Sequence, residues 1–163
     1  MSTTTFQETI NASQEAVWEV LFEQYGDIHI HNPNMPTSKY LGNFTKGAIH
    51  CPRHVTFDKK LYLEETILEV DKNKSFKVAA YKHNLPFLKD MSATYKLVSL
   101  GVNKTQVTMT SNVTSSPNFM IFLMKRQLGK GLKQHLFGLK YYIETGKTVN
   151  KENYSFIFNN YKM

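Results

Sequence analysis

The sequence predicts an α+β fold in which a curved antiparallel sheet of seven strands wraps one long C-terminal helix, with two short helices after the first strand. Three observations predict it. Apolar and polar residues alternate through most of residues 37–115, the breaks in this alternation are short and turn-like, and one long stretch with helical spacing follows. Strands joined by such short turns pair antiparallel, because a parallel crossover needs about a dozen residues or more.

The N-terminal region predicts one strand and two short helices. A strand is expected over residues 3–10. Ser13 is a suitable N-cap, because apolar residues with helical spacing follow it, and Gly26 ends that helix. A second short helix or turn is expected over residues 27–31. It stops at Asn32-Pro33, since the residue before a proline is pushed out of helical conformations.

Six further strands follow, and with the first one they form a meander of about seven. Their boundaries are short breaks that contain lysine, asparagine, glycine or proline. The strands are expected over residues 38–44, 48–57, 61–71, 75–83, 89–100 and 105–115.

A long helix is expected after Ser116-Pro117, where apolar residues recur at steps of three or four and basic residues occupy the other faces. Gly129 and Gly131 weaken it by about 1 kcal/mol each and indicate a bend or a close approach to the sheet. We expect one domain over residues 1–148. The aromatic-rich tail over 149–163 fits a strand, a docked segment or disorder. The apolar stripe of the helix comprises Met120, Met124, Leu128, Leu132, Leu136, Leu139 and Ile143.

The composition indicates a globular cytoplasmic protein. Of the 163 residues, 41% are hydrophobic and 20% are charged, which excludes a disordered chain and a fibrous rod. The longest apolar run covers the six residues 119–124, whereas a membrane-spanning helix needs about 20, so no membrane span is expected. The N-terminus lacks the pattern of a secretory signal. A single cysteine, Cys51, cannot form an internal disulfide and favours a reducing compartment.

The net charge of +7 is unevenly placed. Residues 1–116 carry 12 basic and 11 acidic side chains, whereas residues 117–163 carry 8 and 2. Such a segment can attract nucleic acid or anionic lipid. Isolated lysines without a basic block are more typical of a solvated helix face, so we do not expect nucleic acid as a partner.

The hairpin around Asp58 to Lys60 gives the most specific prediction. If these residues form a three-residue turn, Arg53 lies opposite Glu65. Residues two apart share a face of the sheet, so both side chains lie among apolar neighbours on the concave face. We therefore expect a buried or half-buried Arg53–Glu65 pair on the wall of a cavity. The apolar residues of that face are Ile49, Cys51, Val55, Phe57, Leu61 and Leu63.

The predicted pair favours recognition of a polar group. Removing two ions from water costs several kcal/mol each, so an ion pair in a cavity is weak support for stability. The planar guanidinium of Arg53 suits a carboxylate or a polarised carbonyl. Two other interpretations stay open, namely a water-bridged structural pair without a ligand and a misassigned register.

Further side chains are expected to line the cavity, because seven strands around one helix leave more space than small side chains fill. Tyr95 and Ser111 would be polar tips in an apolar wall, and methionines would let that wall adapt its shape. On the fifth strand, Phe76, Val78 and Ala80 are expected inside, and an inward Tyr81 is the alternative. The candidate ligand-binding residues are Arg53, Glu65, Cys51, Val55, Met91, Tyr95, Met109, Ser111, Met120 and Met124.

The histidines do not predict a metal site. His29 and His31 are two residues apart, but no cysteine or carboxylate cluster completes a tetrahedral set with them. His50 and His54 are four residues apart and belong to the predicted outer face. We expect no metal and no cofactor.

The catalytic candidates are weak. Cys51 and His50 are expected on opposite faces of their strand, which disfavours a Cys–His couple. Glu65 as an acid–base group with Arg53 as a polarising group fits a cyclase, a dehydratase or an aldol-type step. The adjacent arginine stabilises the carboxylate and makes Glu65 a weaker base, which argues modestly against catalysis.

Short stretches spread over residues 3–148 resemble the START-like (SRPBCC) superfamily, specifically its polyketide cyclase/dehydrase and lipid-transport branch. The resemblance implies the helix-grip fold, with the loops over 32–36 and 84–87 at the cavity mouth as possible lids. Similar proteins place a charged residue on the inner face, where it meets the polar end of an apolar ligand. The stretches are Ile10 to Ser13, Glu15, Val17, Trp18, Val20, Leu21, Asn32-Pro33, Gly47-Ala48, Arg53, Leu63 to Asp71, Leu85-Pro86, Lys104 to Val107 and Lys140 to Gly146.

The family includes ligand carriers, hormone receptors, ring-closing enzymes and chaperone activators, so the fold does not fix the function. The first hypothesis is binding of a small hydrophobic ligand (a lipid, an isoprenoid or a polyketide-like molecule) with a polar end in an internal cavity. One alternative is a cyclase or dehydratase that acts on such a ligand. The other is a protein or RNA interaction module. The sequence defines neither the ligand nor the oligomeric state.

Overall fold

A computed structural model describes residues 1–44 and 46–161, apart from the side chains of Leu123 and Met124. Within these residues, seven strands form one antiparallel sheet in the order β1-β7-β6-β5-β4-β3-β2. The predicted α+β class and the seven-stranded meander are confirmed. The strands are β1 (Ser2–Ile10), β2 (Thr37–Tyr40), β3 (Pro52–Thr56), β4 (Tyr62–Asp71), β5 (Ser75–His83), β6 (Leu88–Gly101) and β7 (Lys104–Ser115).

Three α-helices accompany the sheet in the described part of the chain: α1 (Gln14–Trp18), α2 (Met120–Thr145) and α3 (Tyr154–Asn160). A π-helical turn (Glu19–Glu23) and a 3₁₀ helix (Tyr25–Ile30) follow α1. No described helix is long and apolar enough to cross a membrane.

The first helical region differs from the prediction of one helix that ends at Gly26. Ser13 caps α1 as predicted, because its Oγ accepts a hydrogen bond of 3.2 Å from the backbone N–H of Ala16. The π-helical turn after α1 ends at Glu23, Gln24 leaves the helical conformation, and Gly26 lies inside the 3₁₀ helix that follows. A Cβ atom on Gly26 would lie 2.2 Å from the ring of Tyr40, so this glycine permits close packing instead of ending a helix.

The strands β2 and β3 are shorter than predicted, and the expected inward position of Ile49 is wrong. Gly42, Gly47 and His50 have φ angles of 73°, 69° and 65°, which interrupt the extended backbone between the two strands. The alternation therefore does not reach Ile49, whose side chain is 50% exposed. Cys51, immediately before β3, is fully buried as expected.

Six consecutive residues of α2, 135–140, are buried, so this part of the helix is covered on all sides. Leu132, Leu136 and Leu139 pack in the main core against the sheet. A Cβ atom on Gly138 would lie 2.2 Å from the carbonyl oxygen of His31, so only glycine lets the chain after the 3₁₀ helix pack this closely on α2. Gly129 makes the predicted close approach to the sheet, since a Cβ atom on it would lie 3.6 Å from the ring of Phe6 on β1.

The tail docks on the outer side of α2. Ile157 of α3 packs with Phe137 and Val149 in a separate apolar cluster. The backbone N–H of Val149 donates to the carbonyl of Ile30 at 2.9 Å. The Tyr161 hydroxyl donates to Glu144, which also pairs with the buried ammonium of Lys140 at 3.0 Å. Of the three states predicted for the tail, the described residues thus show the docked segment.

Candidate functional site

A buried ion pair lies on the concave face of the sheet. Arg53 of β3 is opposite Glu65 of β4, so the predicted register is confirmed. The two residues are 3% and 7% exposed. Nε and Nη2 of Arg53 donate to the same carboxylate oxygen of Glu65 at 2.8 and 2.5 Å.

Tyr25 completes the surroundings of Arg53. The guanidinium carbon lies 3.7 Å from the centre of the Tyr25 ring, a cation–π contact, and Nη1 donates to the Tyr25 backbone carbonyl. All three guanidinium nitrogens therefore donate hydrogen bonds, to Glu65 or to this carbonyl. The guanidinium fork predicted to recognise a polar group is thus engaged by a carboxylate of the protein itself, and a ligand role for Arg53 stays a prediction.

A β-bulge sits beside the ion pair. The register between β4 and β5 shifts between Glu64 and Glu65, where Tyr81 has no opposite partner and turns outward. Phe76 and Val78 are buried, as the alternation predicts. Bulges often occur next to functional sites, because they redirect one side chain without breaking the sheet.

Further buried polar side chains lie between the sheet and α2. The Tyr95 hydroxyl lies 3.2 Å from Nε2 of His135 on α2, a hydrogen-bond distance. The rings of His31 and His135 stack with centroids 5.3 Å apart. We call Tyr25, His31, Arg53, Glu65, Tyr95 and His135 the buried polar cluster.

Burial keeps the uncharged forms of four members of this cluster. It lowers the pKa of His135 to about 3, and the positive charge of Arg53 adds to the shift. Burial and the neighbouring His135 hold the pKa of His31 well below its ordinary value. Burial also raises the pKa of both Tyr25 and Tyr95. The charges of Arg53 and Glu65 oppose each other, so the cluster as a whole is close to neutral.

Three atoms of the cluster are buried without a partner. The Tyr25 hydroxyl, Nδ1 of His31 and Nδ1 of His135 have no hydrogen-bond partner among the described residues. An unsatisfied buried polar atom costs about 1–3 kcal/mol. These atoms can therefore gain free energy from a bound group that hydrogen-bonds to them.

The pocket beside the cluster is much smaller than a ligand cavity. Its volume is about 10 Å³, room for about one water molecule. Aromatic side chains pack closely around this pocket. The ring centroids of Trp18 and Phe22 are 4.5 Å apart, and those of Phe76 and Tyr95 are 4.7 Å apart. The lining residues are Val20, Leu21, Gln24, Tyr25, Ile28, His31, Arg53, Phe76 and Tyr95.

Most of the other predicted site residues belong to the inner face but not to this small space. Cys51 and Met109 pack in the main core, and Val55 packs in a second cluster with Ile28 and Leu63. The Ser111 hydroxyl is buried and has no described partner. Met91 and Met120 are half-buried, and the side chain of Met124 lies outside the described part.

The two predicted lid loops meet at the second cluster. Met35 from the first loop and Leu85 from the second both pack around Ile28, Val55 and Leu63. The two loops therefore share one apolar cluster.

The remaining histidines do not form a metal centre. Among the described residues, no group of three or more histidine, cysteine or acidic side chains has the arrangement for a metal ion. His54 stacks on Tyr62 and pairs with Glu64 at 3.4 Å. A larger surface groove of about 460 Å³ is open and lined mainly by polar and charged groups such as Glu15, Glu19 and Lys72, which do not converge on a buried site.

Sequence reasoning missed three members of the cluster. Tyr25 continues the helical spacing of apolar residues after Ser13, which indicates only a buried helix face, and His31 shows only the spacing of an incomplete metal site. His135 carried a usable signal, because it lies three residues after Leu132 and four before Leu139 on the apolar stripe of the helix.

Comparisons with known proteins identify the fold. No protein-family model and no curated protein matches the sequence. A START superfamily protein from Mycobacterium smegmatis is 13% identical with a TM-score of 0.71, over 89% of this chain and 99% of that one. The di-domain ARO/CYC BexL from the BE-7585A biosynthetic pathway is 12% identical with a TM-score of 0.72, over 88% of this chain and 47% of that one.

A third similar structure is norcoclaurine synthase from Thalictrum flavum in complex with dopamine and hydroxybenzaldehyde. It is 13% identical with a TM-score of 0.66, over 91% of this chain and 89% of that one. The chain therefore has the START-like helix-grip fold. At these identities the likeness concerns the fold, and the activity must be argued from the site.

Proposed function

We propose that this protein binds a small hydrophobic molecule with an uncharged polar end, and that this end contacts the buried polar cluster. One observation carries the proposal: Tyr25, His31 and His135 each have an unpartnered buried polar atom, Tyr25 and His31 line the same small pocket, and the ring of His31 stacks on that of His135. A hydroxyl or carbonyl group could hydrogen-bond to them, while the apolar body of the ligand replaces aromatic packing.

The charge of the cluster selects an uncharged polar end. Arg53 is already neutralised by Glu65, and both histidines stay neutral because burial lowers their pKa. A ligand carboxylate would add an uncompensated charge to the interior, which costs several kcal/mol. An alcohol, a phenol or a ketone of the same shape avoids this cost.

Binding requires the segment from Val20 to His31 to move. A ligand site usually has about 300 Å³ or more, far above the 10 Å³ of the pocket beside the cluster. Six of the nine lining residues belong to this segment. It consists of a π-helical turn and a 3₁₀ helix, forms that are common at functional hinges. Its outward movement opens the space while the sheet stays intact.

The cluster suits binding better than catalysis of a cyclase or dehydratase step. A general base works best when its pKa lies near the operating pH, and the pKa of about 3 makes His135 a poor base. Burial raises the pKa of Tyr95, which makes that hydroxyl a poor acid. Glu65 is occupied by two donors from Arg53.

The test uses the single tryptophan as a reporter. Trp18 packs against Phe22 and Phe76, so a ligand that enters the interior changes its emission. We expect saturable changes with 1-decanol, and binding at least about tenfold weaker with decanoate at neutral pH because the carboxylate is charged.

The variant Tyr25→Phe separates ligand binding from folding. It removes an unpartnered hydroxyl, so we expect the ligand-free protein to gain stability while 1-decanol binds about five- to tenfold more weakly. Tyr81→Phe is the matched control, since Tyr81 is exposed on β5. Lack of saturation with 1-decanol, or wild-type affinity in Tyr25→Phe, would contradict the proposal.

A further inference from the structure

The N-terminal end of α2 exposes two large aromatic side chains. Phe119 and Phe122 are 71% and 81% exposed, and they stand three residues apart, on neighbouring positions of one helix face. They belong to the longest apolar run of the chain, residues 119–124. These two phenylalanines do not belong to the aromatic core inside the protein, so packing of the core does not explain why they are present on the surface.

A third phenylalanine lies at the same end of the sheet. Phe87, in the loop between β5 and β6, is half-exposed and has a φ angle of 63°. Its backbone carbonyl accepts a hydrogen bond of 2.9 Å from the N–H of Ser116, which ties this loop to the segment before α2. Phe87, Phe119 and Phe122 therefore mark one edge of the molecule, which we call the aromatic edge.

Basic side chains continue the same helix face. Phe122, Arg126, Lys130 and Lys133 follow one another at steps of four, four and three, and all four are exposed. Lys125 is exposed beside them. The one acidic residue of α2, Glu144, is at the other end of the helix and pairs with Lys140. Lys89 and Asp90 at the start of β6 offset each other in charge.

We propose that the aromatic edge docks on the surface of an anionic lipid bilayer. Aromatic side chains enter the boundary between headgroups and acyl chains, while lysine and arginine contact negative headgroups, the pattern of an interfacial amphipathic helix. This inference is independent of the ligand site, because none of its residues belongs to the buried polar cluster.

Charge complementarity favours a bilayer over the other occupants. A second copy of the chain would place two basic faces against each other, and the net charge of +7 opposes such an arrangement. Single-stranded RNA would need a groove in which bases stack on aromatic rings, whereas Phe119 and Phe122 project from a convex helix end. A bilayer offers both negative charge and an apolar interior.

The experiment is co-sedimentation with vesicles. One set contains phosphatidylcholine alone, and the other contains about one quarter phosphatidylserine. We expect binding to the anionic set at about 0.1 M salt, and a loss of most binding at about 0.5 M salt because surface charges are screened. The variant Phe119→Ser/Phe122→Ser should bind these vesicles at least about tenfold more weakly with an unchanged melting temperature.

Matched controls make the result specific. Phe156→Ser removes a phenylalanine that is 72% exposed on α3, and it should bind vesicles like the wild type. Lys125→Glu/Arg126→Glu should lose anionic-vesicle binding, whereas Lys147→Glu should keep it. Equal binding to both vesicle sets would overturn the proposal. So would absence of binding to the anionic vesicles, and self-association or RNA binding that depends on Phe119 and Phe122 would then identify the occupant of this surface.

Discussion

Replacing Glu65 with leucine is expected to lower the free energy of unfolding by about 3–5 kcal/mol, because the Arg53 guanidinium would stay buried without its counter-ion. Arg53 is 3% exposed, so water cannot replace the lost carboxylate without a change in the fold. Chemical denaturation with urea, followed by Trp18 emission, measures the loss.

Two further variants test whether the unpaired charge of Arg53 causes this loss of stability. In Arg53→Met/Glu65→Leu, both ions are replaced by apolar side chains, so we expect most of the stability to return. Glu69→Leu is the matched control on the same strand. Its partner Lys77 lies at 3.0 Å in a solvent-exposed pair, worth about 0–1 kcal/mol. Equal losses in Glu65→Leu and Glu69→Leu would contradict the burial of the Arg53–Glu65 pair.

Acid is expected to destabilise the protein through His31 and His135. Their pKa values are lowered in the folded state by burial, to about 3 for His135, whereas an unfolded histidine has a pKa of about 6.5. Below pH 6.5 the unfolded chain therefore binds more protons than the folded one. The contribution of the two histidines to the free energy of unfolding is fully present above about pH 6.5. It is lost as the pH falls towards their folded pKa, by about 1 kcal/mol per pH unit for each histidine.

The variant His135→Gln isolates this effect. We expect its free energy of unfolding to decline less steeply between about pH 6.5 and pH 4 than that of the wild type, by about 1 kcal/mol per pH unit. The slope is the readout, so a general loss of stability in the variant does not hide the result. His50→Gln, at an exposed position, should retain the wild-type slope. An unchanged slope in His135→Gln would show that His135 titrates normally in the folded protein.

The sheet and its central ion pair were predictable because local signals set them. The three-residue turn over residues 58–60 fixes the register of its hairpin, and alternation then places Arg53 opposite Glu65. In the same way, the apolar stripe of α2 predicted which face of this helix is buried. Where glycines and His50 adopt positive φ angles, the alternation breaks, and the prediction for Ile49 failed there.

The buried polar cluster was not predictable, because packing between distant elements creates it. His31 approaches His135 only because Gly138 lets the chain sit directly on α2. No local pattern shows that contact. The filled interior has a similar origin, since Trp18 and Phe22 come from the first helical region and meet Phe76 of β5. A count of strands around one helix does not reveal how much space such rings fill.

The most direct test of the central claim follows the ring signals of His31 and His135 by NMR, in protein with isotope-labelled histidine, as 1-decanol is added. We predict that both signals shift and saturate with the dissociation constant given by Trp18 emission, because the alcohol hydroxyl contacts the two rings. Saturation of the Trp18 signal with unchanged histidine signals would mean that ligands enter elsewhere, and it would contradict the assignment of the cluster as the polar end of the site.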